Sequence, residues 1–407
     1  MASEASAENR TALIFGASGI TGWAVIREAL RYPSPVAFKQ VIGLTNRPLD
    51  RSKLLLPSDD RLTLASGIDL TKNIAEVAAK LDTINGIGDV TDVFFAAYIQ
   101  PPGTSDFEGY DVLKEINVRI LETAVQAVEH VSPRLRFWSL QTGGKSYGFV
   151  HALQIGFPKV PCRESDPRIP QPYEDQVFYY SQFDALKKLS TGKAWRFAEI
   201  RPDLVAWKIG FVPGGKNAMN FAQALGIFLS FYADRERTTA GERAQVQFPG
   251  TAASYNARYT EIGQRTLGRA HIFASGLIDE PSGAVYNVGD SPLTTGATWK
   301  EKWSQVCDYF GLRGVGPEKA GAEKLSVSAY MAQHRADWEE FEKKHGLRPG
   351  TVEGSSWEFL EVLLSLAAFD RQYDLSKFAE TGFREREDIV QNYVDAFELM
   401  KAARFIP

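Results

Sequence analysis

The sequence predicts an α/β protein: a doubly wound parallel sheet followed by a smaller, mainly helical C-terminal substrate lobe. Three observations predict it. Residues 11–22 read as a buried strand, a glycine turn and the start of a helix. Short apolar runs then alternate with helical periodicity as far as residue 203, as parallel strands joined by right-handed crossovers do. Beyond that point glycine, proline and aromatic residues mix with helical segments, and no strand–helix–strand repeat is legible. The predicted division is therefore 1–205 and 206–407, a Rossmann-type nucleotide domain and a lobe with segments returning to the sheet edge.

The opening carries the most information. Ala12–Phe15 is the strand, and Trp23–Leu30 carries Val25, Ile26, Ala29 and Leu30 on one side of a helix. Between them stand Gly16, Gly19 and Gly22, spaced Gly-x-x-Gly-x-x-Gly. In a dinucleotide site the first glycine allows a tight turn, the second lets backbone N–H groups approach a pyrophosphate, and the third lets the helix pack close to the strand. Ser18 and Ile20 complete the expected cofactor turn. Glycines that serve packing alone are the plainer alternative; the strand before and the helix after favour nucleotide binding.

The following elements are read in order. Residues 37–46 form a second strand ending in Asn46-Arg47-Pro48. An acidic residue there binds a ribose hydroxyl, whereas an arginine accommodates the extra phosphate of NADP. Arg47 with Asn46 therefore predicts NADP(H) over NAD, with a solvated surface arginine as the alternative. Leu62–Leu70 is a third strand; Asp69, beside Leu70, is placed to accept from an adenine amino group, to cap a helix over Lys72–Lys80, or both. Val90–Tyr98 is a fourth strand, whose small Ala96 and Ala97 would let a cofactor approach. A helix over Asp111–Val131 follows, then a fifth strand, Leu135–Leu140, and a sixth, Phe197–Pro202. Ala284–Val288 is expected to return to the sheet edge.

Composition narrows the partners. The 407 residues are 44% hydrophobic and 24% charged, with a formal net charge of -4 and no basic block, which disfavours nucleic acid or an anionic membrane. The most apolar helix-like stretch, Ala218–Ala233, contains Asn220 and Gln223 and falls short of the ~18–20 residues of a spanning helix. Cys162 and Cys307 fit no metal spacing, and such sparse use suggests a reducing, cytoplasmic setting. The first ten residues show no signal-peptide pattern. No metal is expected, and a homodimer is compatible with all of this.

The chemistry should lie beyond the carboxyl ends of the strands. Short-chain dehydrogenases usually carry Tyr-x-x-x-Lys on one helix. Here Tyr179 is followed four residues on by Phe183, and Tyr180 by Asp184. The spacing does occur at Tyr110/Lys114 and Tyr373/Lys377, which read as chance matches on surface helices. Lys145 and Tyr147 follow the fifth strand, and Phe178-Tyr179-Tyr180 opens a helix.

These residues resemble the progesterone 5β-reductase and iridoid synthase family of atypical extended short-chain dehydrogenases. Its Leu-Gln-Thr-Gly-x-Lys-x-Tyr segment stands here as Leu140–Tyr147, and its Asn-Phe-Tyr-Tyr as Val177-Phe178-Tyr179-Tyr180. Arg201-Pro202, Gly210-Phe211-x-Pro213, Met219-Asn220, Trp338-Glu339-Glu340, His345-Gly346-Leu347, Gly382-Phe383-Arg384 and Ile406-Pro407 follow in the expected order. The chain departs from the pattern at the end of strand two, in a segment between Pro202 and Pro213 about three residues longer by alignment, and in the tail Tyr98–Pro102.

The resemblance implies that Lys145 replaces the missing helix lysine and that Tyr179 is the phenol. NADPH would reduce the C=C bond of an α,β-unsaturated ketone or aldehyde in an apolar small molecule, with enolate charge stabilised by both donors. Thr142 and Pro202 would join the cofactor contacts, and Tyr98, Tyr147, Phe211, Met219 and Trp357 would line the substrate pocket. Lining the pocket and simple packing are both open for Tyr147. Tyr180, about 100° round the helix from its neighbour, is not expected to face the cofactor. Carbonyl reduction, a non-redox cyclisation or isomerisation, and an NADP-sensing regulator are the rival functions.

Overall fold

The computed structural model describes residues 9–104, 108–203, 208–214, 220–237, 242–317 and 325–407. The first half holds β1 (Thr11–Phe15), α1 (Ile20–Ala29), β2 (Gln40–Leu44), β3 (Leu62–Ala65), α2 (Ile74–Asp82), β4 (Asp92–Phe95), α3 (Tyr110–Val131), β5 (Phe137–Gln141), the one-turn α4 (Ala152–Ile155), α5 (Phe178–Ser190) and β6 (Arg196–Arg201). The second holds β7 (Lys208–Ile209), α6 (Phe221–Arg235), β8 (Gln245–Gln247), α7 (Ala252–Asn256), β9 (Ile262–Gly263), α8 (Gln264–Gly276), β10 (Ala284–Asn287), α9 (Trp299–Asp308) and β11 (Arg313–Val315). It ends with α10 (Val327–Gln333), α11 (Arg335–His345), α12 (Trp357–Leu366), α13 (Ser376–Glu380) and α14 (Ile389–Ala402).

Seven strands make one parallel sheet in the order β3-β2-β1-β4-β5-β6-β10. The order reverses at β1, and the crevice beyond its carboxyl end is where such sheets bind ligands. β1 is buried on both faces, which is why it reads as an unbroken apolar run. Leu13 and Phe15 enter a core shared with α2, α3 and α5, while Ala12 and Ile14 enter one shared with α1 and α8. The predicted return of 284–288 is present: Ala284–Asn287 pairs with Ala198–Arg201.

The C-terminal elements α6, α9, α10, α11, α12 and α14 enclose a separate aromatic core around Phe228, Trp299, Trp303, Trp338 and Phe397. α6 lies inside it, buried from Phe221 to Phe231. The polar residues that interrupt its hydrophobicity have specific roles. The Asn220 side chain caps the helix by accepting from the Gln223 amide at 3.0 Å, and the Gln223 side chain donates to Ser355 at 3.1 Å. Among the described residues no helix is long and apolar enough to cross a membrane.

Three local readings are corrected. The third strand ends at Ala65 because Gly67 adopts φ +79° and donates its N–H to the Asn46 carbonyl, turning the chain toward β2. The cap of α2 is Asn73, whose side chain accepts from the Glu76 amide at 2.9 Å; Asp69 lies too far upstream. Tyr373 is not on a surface helix: it is fully buried in an extended segment bridged to Cys162. The predicted domain boundary at 205/206 falls outside the described residues.

Candidate active site

The nucleotide turn is built by close backbone approach. Gly16 has φ +85°, and a Cβ there would lie 2.7 Å from the Ala96 carbonyl oxygen. A Cβ on Gly22 would lie 2.1 Å from the Gly16 carbonyl oxygen, so only glycine lets α1 start this close to β1. Gly19 is less crowded, its nearest such contact being 3.4 Å. Its own N–H is spent inside the turn on the Gly16 carbonyl at 2.9 Å. The amides left for an anion are those of Ile20, Thr21 and Gly22, ahead of the first helical hydrogen bond, Trp23 N–H to Gly19 C=O. Gly19 brings no capping side chain, so this positive helix end is open. Ser18 borders it, half-buried.

The next expected contacts lie beyond β2, β3 and β4. Asn46 and Arg47 are exposed, and Arg47 makes no ion pair among the described residues. The local backbone is held by the Thr45 hydroxyl, which donates to the Arg47 carbonyl at 2.5 Å. Asp69 accepts from the Thr71 hydroxyl at 2.7 Å and amide at 3.0 Å, which holds its carboxyl below the usual range; Leu70 is buried beside it. These residues lie beyond the carboxyl ends of β2 and β3, where the sequence expects the dinucleotide to be held.

The turn after β5 and the first turn of α5 bring Lys145 to Tyr179. The Lys145 ammonium lies 6.0 Å from the centre of the Tyr179 ring and 5.9 Å from that of Phe178. Phe178 meets Tyr179 edge-on at 4.5 Å and stacks on the 41%-exposed Tyr98 at 5.9 Å. One ammonium thus borders an aromatic wall that reaches from the interior to the surface. The backbone after β6 comes near the Tyr179 ring. The point a Gly143 Cβ would occupy is 3.5 Å from the Pro202 carbonyl oxygen, 3.4 Å from that of Asp203 and 3.8 Å from a Tyr179 ring carbon.

Neighbouring polar groups are committed elsewhere. The Tyr180 hydroxyl donates to the Ser146 carbonyl at 2.5 Å and accepts from the Ile169 amide at 3.3 Å, so Tyr180 latches α5 to the Lys145 turn. Burial raises its pKa. Tyr147 is buried and donates to Asn287 at 2.6 Å, with the Arg201 guanidinium 4.9 Å over its ring. Burial pushes this phenol well above its ordinary value. Burial also opposes the Arg201 charge, but Glu199 at 2.9 Å more than restores it. The Thr142 hydroxyl donates to the same Glu199.

Phe211 and Trp357 belong to the core of the C-terminal lobe, separate from the cluster that holds Phe178 and Tyr179. Phe211 packs edge-on against Phe405 at 4.8 Å. Met219 lies outside the described residues. No group of His, Cys, Asp or Glu among the described residues could hold a metal.

Gln182 and Asn117 escaped the sequence reading, whereas Phe183 stands at a position that it named. Phe183, where the usual helix lysine would stand, packs edge-on against Phe197 at 5.3 Å. Gln182, one turn after Tyr179, donates to the Asn117 carbonyl at 2.9 Å and ties α5 to α3. Asn117 in turn clamps the strand-four tail, accepting from the Ile99 amide at 3.0 Å and donating to its carbonyl at 2.8 Å. The spacing from Tyr179 to Gln182 was an available signal; nothing local pointed to Asn117.

Comparison with known proteins agrees with this architecture. The chain is 35% identical over 403 residues, 97% of each chain, to the short chain dehydrogenase sirQ of Leptosphaeria maculans. It is 23% identical to the (S)-8-oxocitronellyl enol synthase ISY1 of Nepeta racemosa, across 97% of this chain and 93% of that one. The UDP-glucose 4-epimerase of Thermotoga maritima shares the fold at TM-score 0.57 and 13% identity, covering 96% of this chain and 99% of that chain. With the family profile matching from residue 12 to residue 407, the chain belongs to the PRISE-like Rossmann-fold domain family.

Proposed function

We propose that the protein is an NADPH-dependent reductase that saturates the C=C bond of an α,β-unsaturated ketone or aldehyde in an apolar small molecule. The observation that carries this reading is the approach of the Lys145 ammonium to the Tyr179 ring from a different element. NADPH, when bound, supplies the hydride for the β-carbon of the substrate, and a proton from water completes the saturation at the α-carbon. The Tyr179 hydroxyl hydrogen-bonds the substrate carbonyl oxygen as negative charge develops there. The Lys145 ammonium adds a fixed positive charge to the same region, and both count for more where water is excluded. Tyr98 and Phe178 offer apolar surface to the substrate.

Gly16, Gly19 and Gly22 admit the dinucleotide, and the free amides at Ile20 receive its pyrophosphate. Arg47, exposed and without an ion pair among the described residues, would take the extra phosphate through forked hydrogen bonds, with Asn46 beside it. The sequence of β2 presents no competing carboxylate at this point. The relative named as an enol synthase supports a reaction in which carbonyl oxygen charge is stabilised.

The test is NADPH oxidation followed spectroscopically over a panel of small enones and enals, with product analysis. Saturated ketones or aldehydes are expected. Allylic alcohols would replace this reading with carbonyl reduction. Product formation without NADPH loss would replace it with isomerisation or cyclisation. Activity retained in both Lys145→Met and Tyr179→Phe would remove the assigned site.

A further inference from the structure

From the contacts of the segment 371–374 we infer that Asp203, Arg371 and Tyr373 form a positioning device that sets the exit of β6 against Tyr179. The proposal rests on the site assigned above. Its components come from opposite halves of the chain. Asp203 follows Pro202 at the end of β6, and its carbonyl oxygen lies 3.4 Å from the point a Gly143 Cβ would occupy, a point 3.8 Å from a Tyr179 ring carbon. Its side chain turns away and is 1% exposed. There the Arg371 Nε donates to Oδ2 at 3.3 Å and the Tyr373 hydroxyl donates to Oδ1 at 3.0 Å. A buried carboxylate with a cation and a hydroxyl donor is held in one rotamer, so the backbone that carries it is held too.

The partners of Asp203 are themselves fixed. The Arg371 amide donates to the Arg258 carbonyl at 2.8 Å, and its guanidinium lies 4.4 Å over the Tyr259 ring. The Tyr373 amide donates to the Thr260 hydroxyl at 2.9 Å. The same strap reaches the other side of the site. Cys162 exchanges hydrogen bonds with Gln372 and Asp374, at 2.8 and 2.9 Å. Asn287 donates to the carbonyls of Cys162 and Asp374, and accepts from Tyr147 in the Lys145 turn. The Tyr147 and Tyr373 rings meet edge-on at 5.1 Å. One strap of the C-terminal half therefore registers both backbone segments that flank Tyr179: the turn of Lys145 and the exit of β6.

These are positioning residues, not catalytic ones, since every contact named is with protein. Tyr373→Phe is the primary test, because it keeps the ring between its aromatic neighbours and removes only the donor to Asp203. Three quantities are measured on the full-length protein: kcat with the enone, NADPH affinity by fluorescence titration, and amide hydrogen exchange with NADPH bound. A drop of roughly ten- to a hundredfold in kcat is expected, with affinity within about twofold, since small misplacement of reacting groups costs that much. Exchange is expected to speed up in peptides 142–148 and 199–203 while the peptides of α1 and α3 keep their protection. Asp203→Asn should act in the same direction, and Arg371→Lys, which keeps the cation, should recover part of the rate lost in Arg371→Met.

A Tyr373→Phe protein with unchanged kcat and unchanged exchange at 199–203 overturns the proposal, as does exchange that rises uniformly across the fold. Should the wild type reduce no enone, the reductase assignment fails separately. The exchange measurement then still decides whether this strap sets the two segments.

Discussion

The nucleotide turn and the Lys145–Tyr179 cluster lie at the same end of one sheet, yet they are made in opposite ways. The turn is local and made of backbone. Within residues 16–22 the decisive contacts are missing Cβ atoms, and its neighbour Ala96 contributes a carbonyl. The cluster is long-range and made of side chains, bringing together Tyr98, Lys145, Phe178 and Tyr179 from three separate segments. A backbone site depends on how closely two chains can approach. A side-chain site depends on everything that holds its elements in register. Substitutions in the first should therefore act on nucleotide affinity and stability, and substitutions in the second on turnover.

The sharpest test of this contrast is Lys145→Met or Tyr179→Phe. Loss of a donor to developing oxyanion charge costs about 10²–10³ in rate. Each variant is expected to lose that much in kcat on an enone, while NADPH titration changes by less than about threefold, because neither group belongs to the turn. A parallel loss of nucleotide affinity would erase the distinction between the two regions. Gly22→Ala approaches it from the other side. The added methyl would sit 2.1 Å from backbone that cannot swing away. Destabilisation of about 1–3 kcal/mol is expected, the range for overpacking, read by thermal melting. NADPH affinity should fall with it, while kcat at saturating NADPH stays near that of the wild type.

The same contrast explains what the sequence revealed. The positions and the parallel direction of the first six strands were legible because each is a short apolar run buried on a parallel sheet. The glycine turn was legible because its determinants are consecutive. Lys145 and Tyr179 were paired only through resemblance, since no periodicity relates a turn after β5 to a helix more than thirty residues later. The bond from Thr142 to Glu199 was not legible because Glu199 is on the neighbouring strand, and strand neighbours are set by topology. The cap alternative for Asp69 failed because Asx turns and N-caps use the same residue types; the contact to Thr71 distinguishes them. The buried position of Tyr373 had no local signal, since the groups it bonds lie in other halves or segments of the chain.

A smaller effect is expected at Arg47, beyond the carboxyl end of β2. A charge-assisted contact made at an exposed position is partly screened by salt. Arg47→Ala should weaken NADPH about fivefold to tenfold and leave NADH unchanged, which paired titrations with the two nucleotides would show. An equal loss for both would mean that this side chain reads something other than the extra phosphate. The loss should shrink as ionic strength rises, whereas the effect of Gly22→Ala, being steric, should not.

Tyr180→Phe is the smallest and the most discriminating, because it separates adjacent residues of one helix turn. Tyr180 and Tyr179 share a segment, an aromatic character and near-complete burial. The Tyr180 hydroxyl is committed to the protein backbone, through Ser146 and Ile169. Removing that hydroxyl leaves the Ser146 carbonyl without a donor that it now has. A loss of about 1 kcal/mol is expected for a buried hydrogen bond, seen as a lower melting temperature. Turnover should change by no more than about threefold, since the latch is one of several ties on the Lys145 turn and the ring still fills its site. If Tyr180→Phe instead matched Tyr179→Phe in kcat, the hydroxyl bound to Ser146 would have to exchange that carbonyl for substrate, and the division between latch and phenol would be reversed.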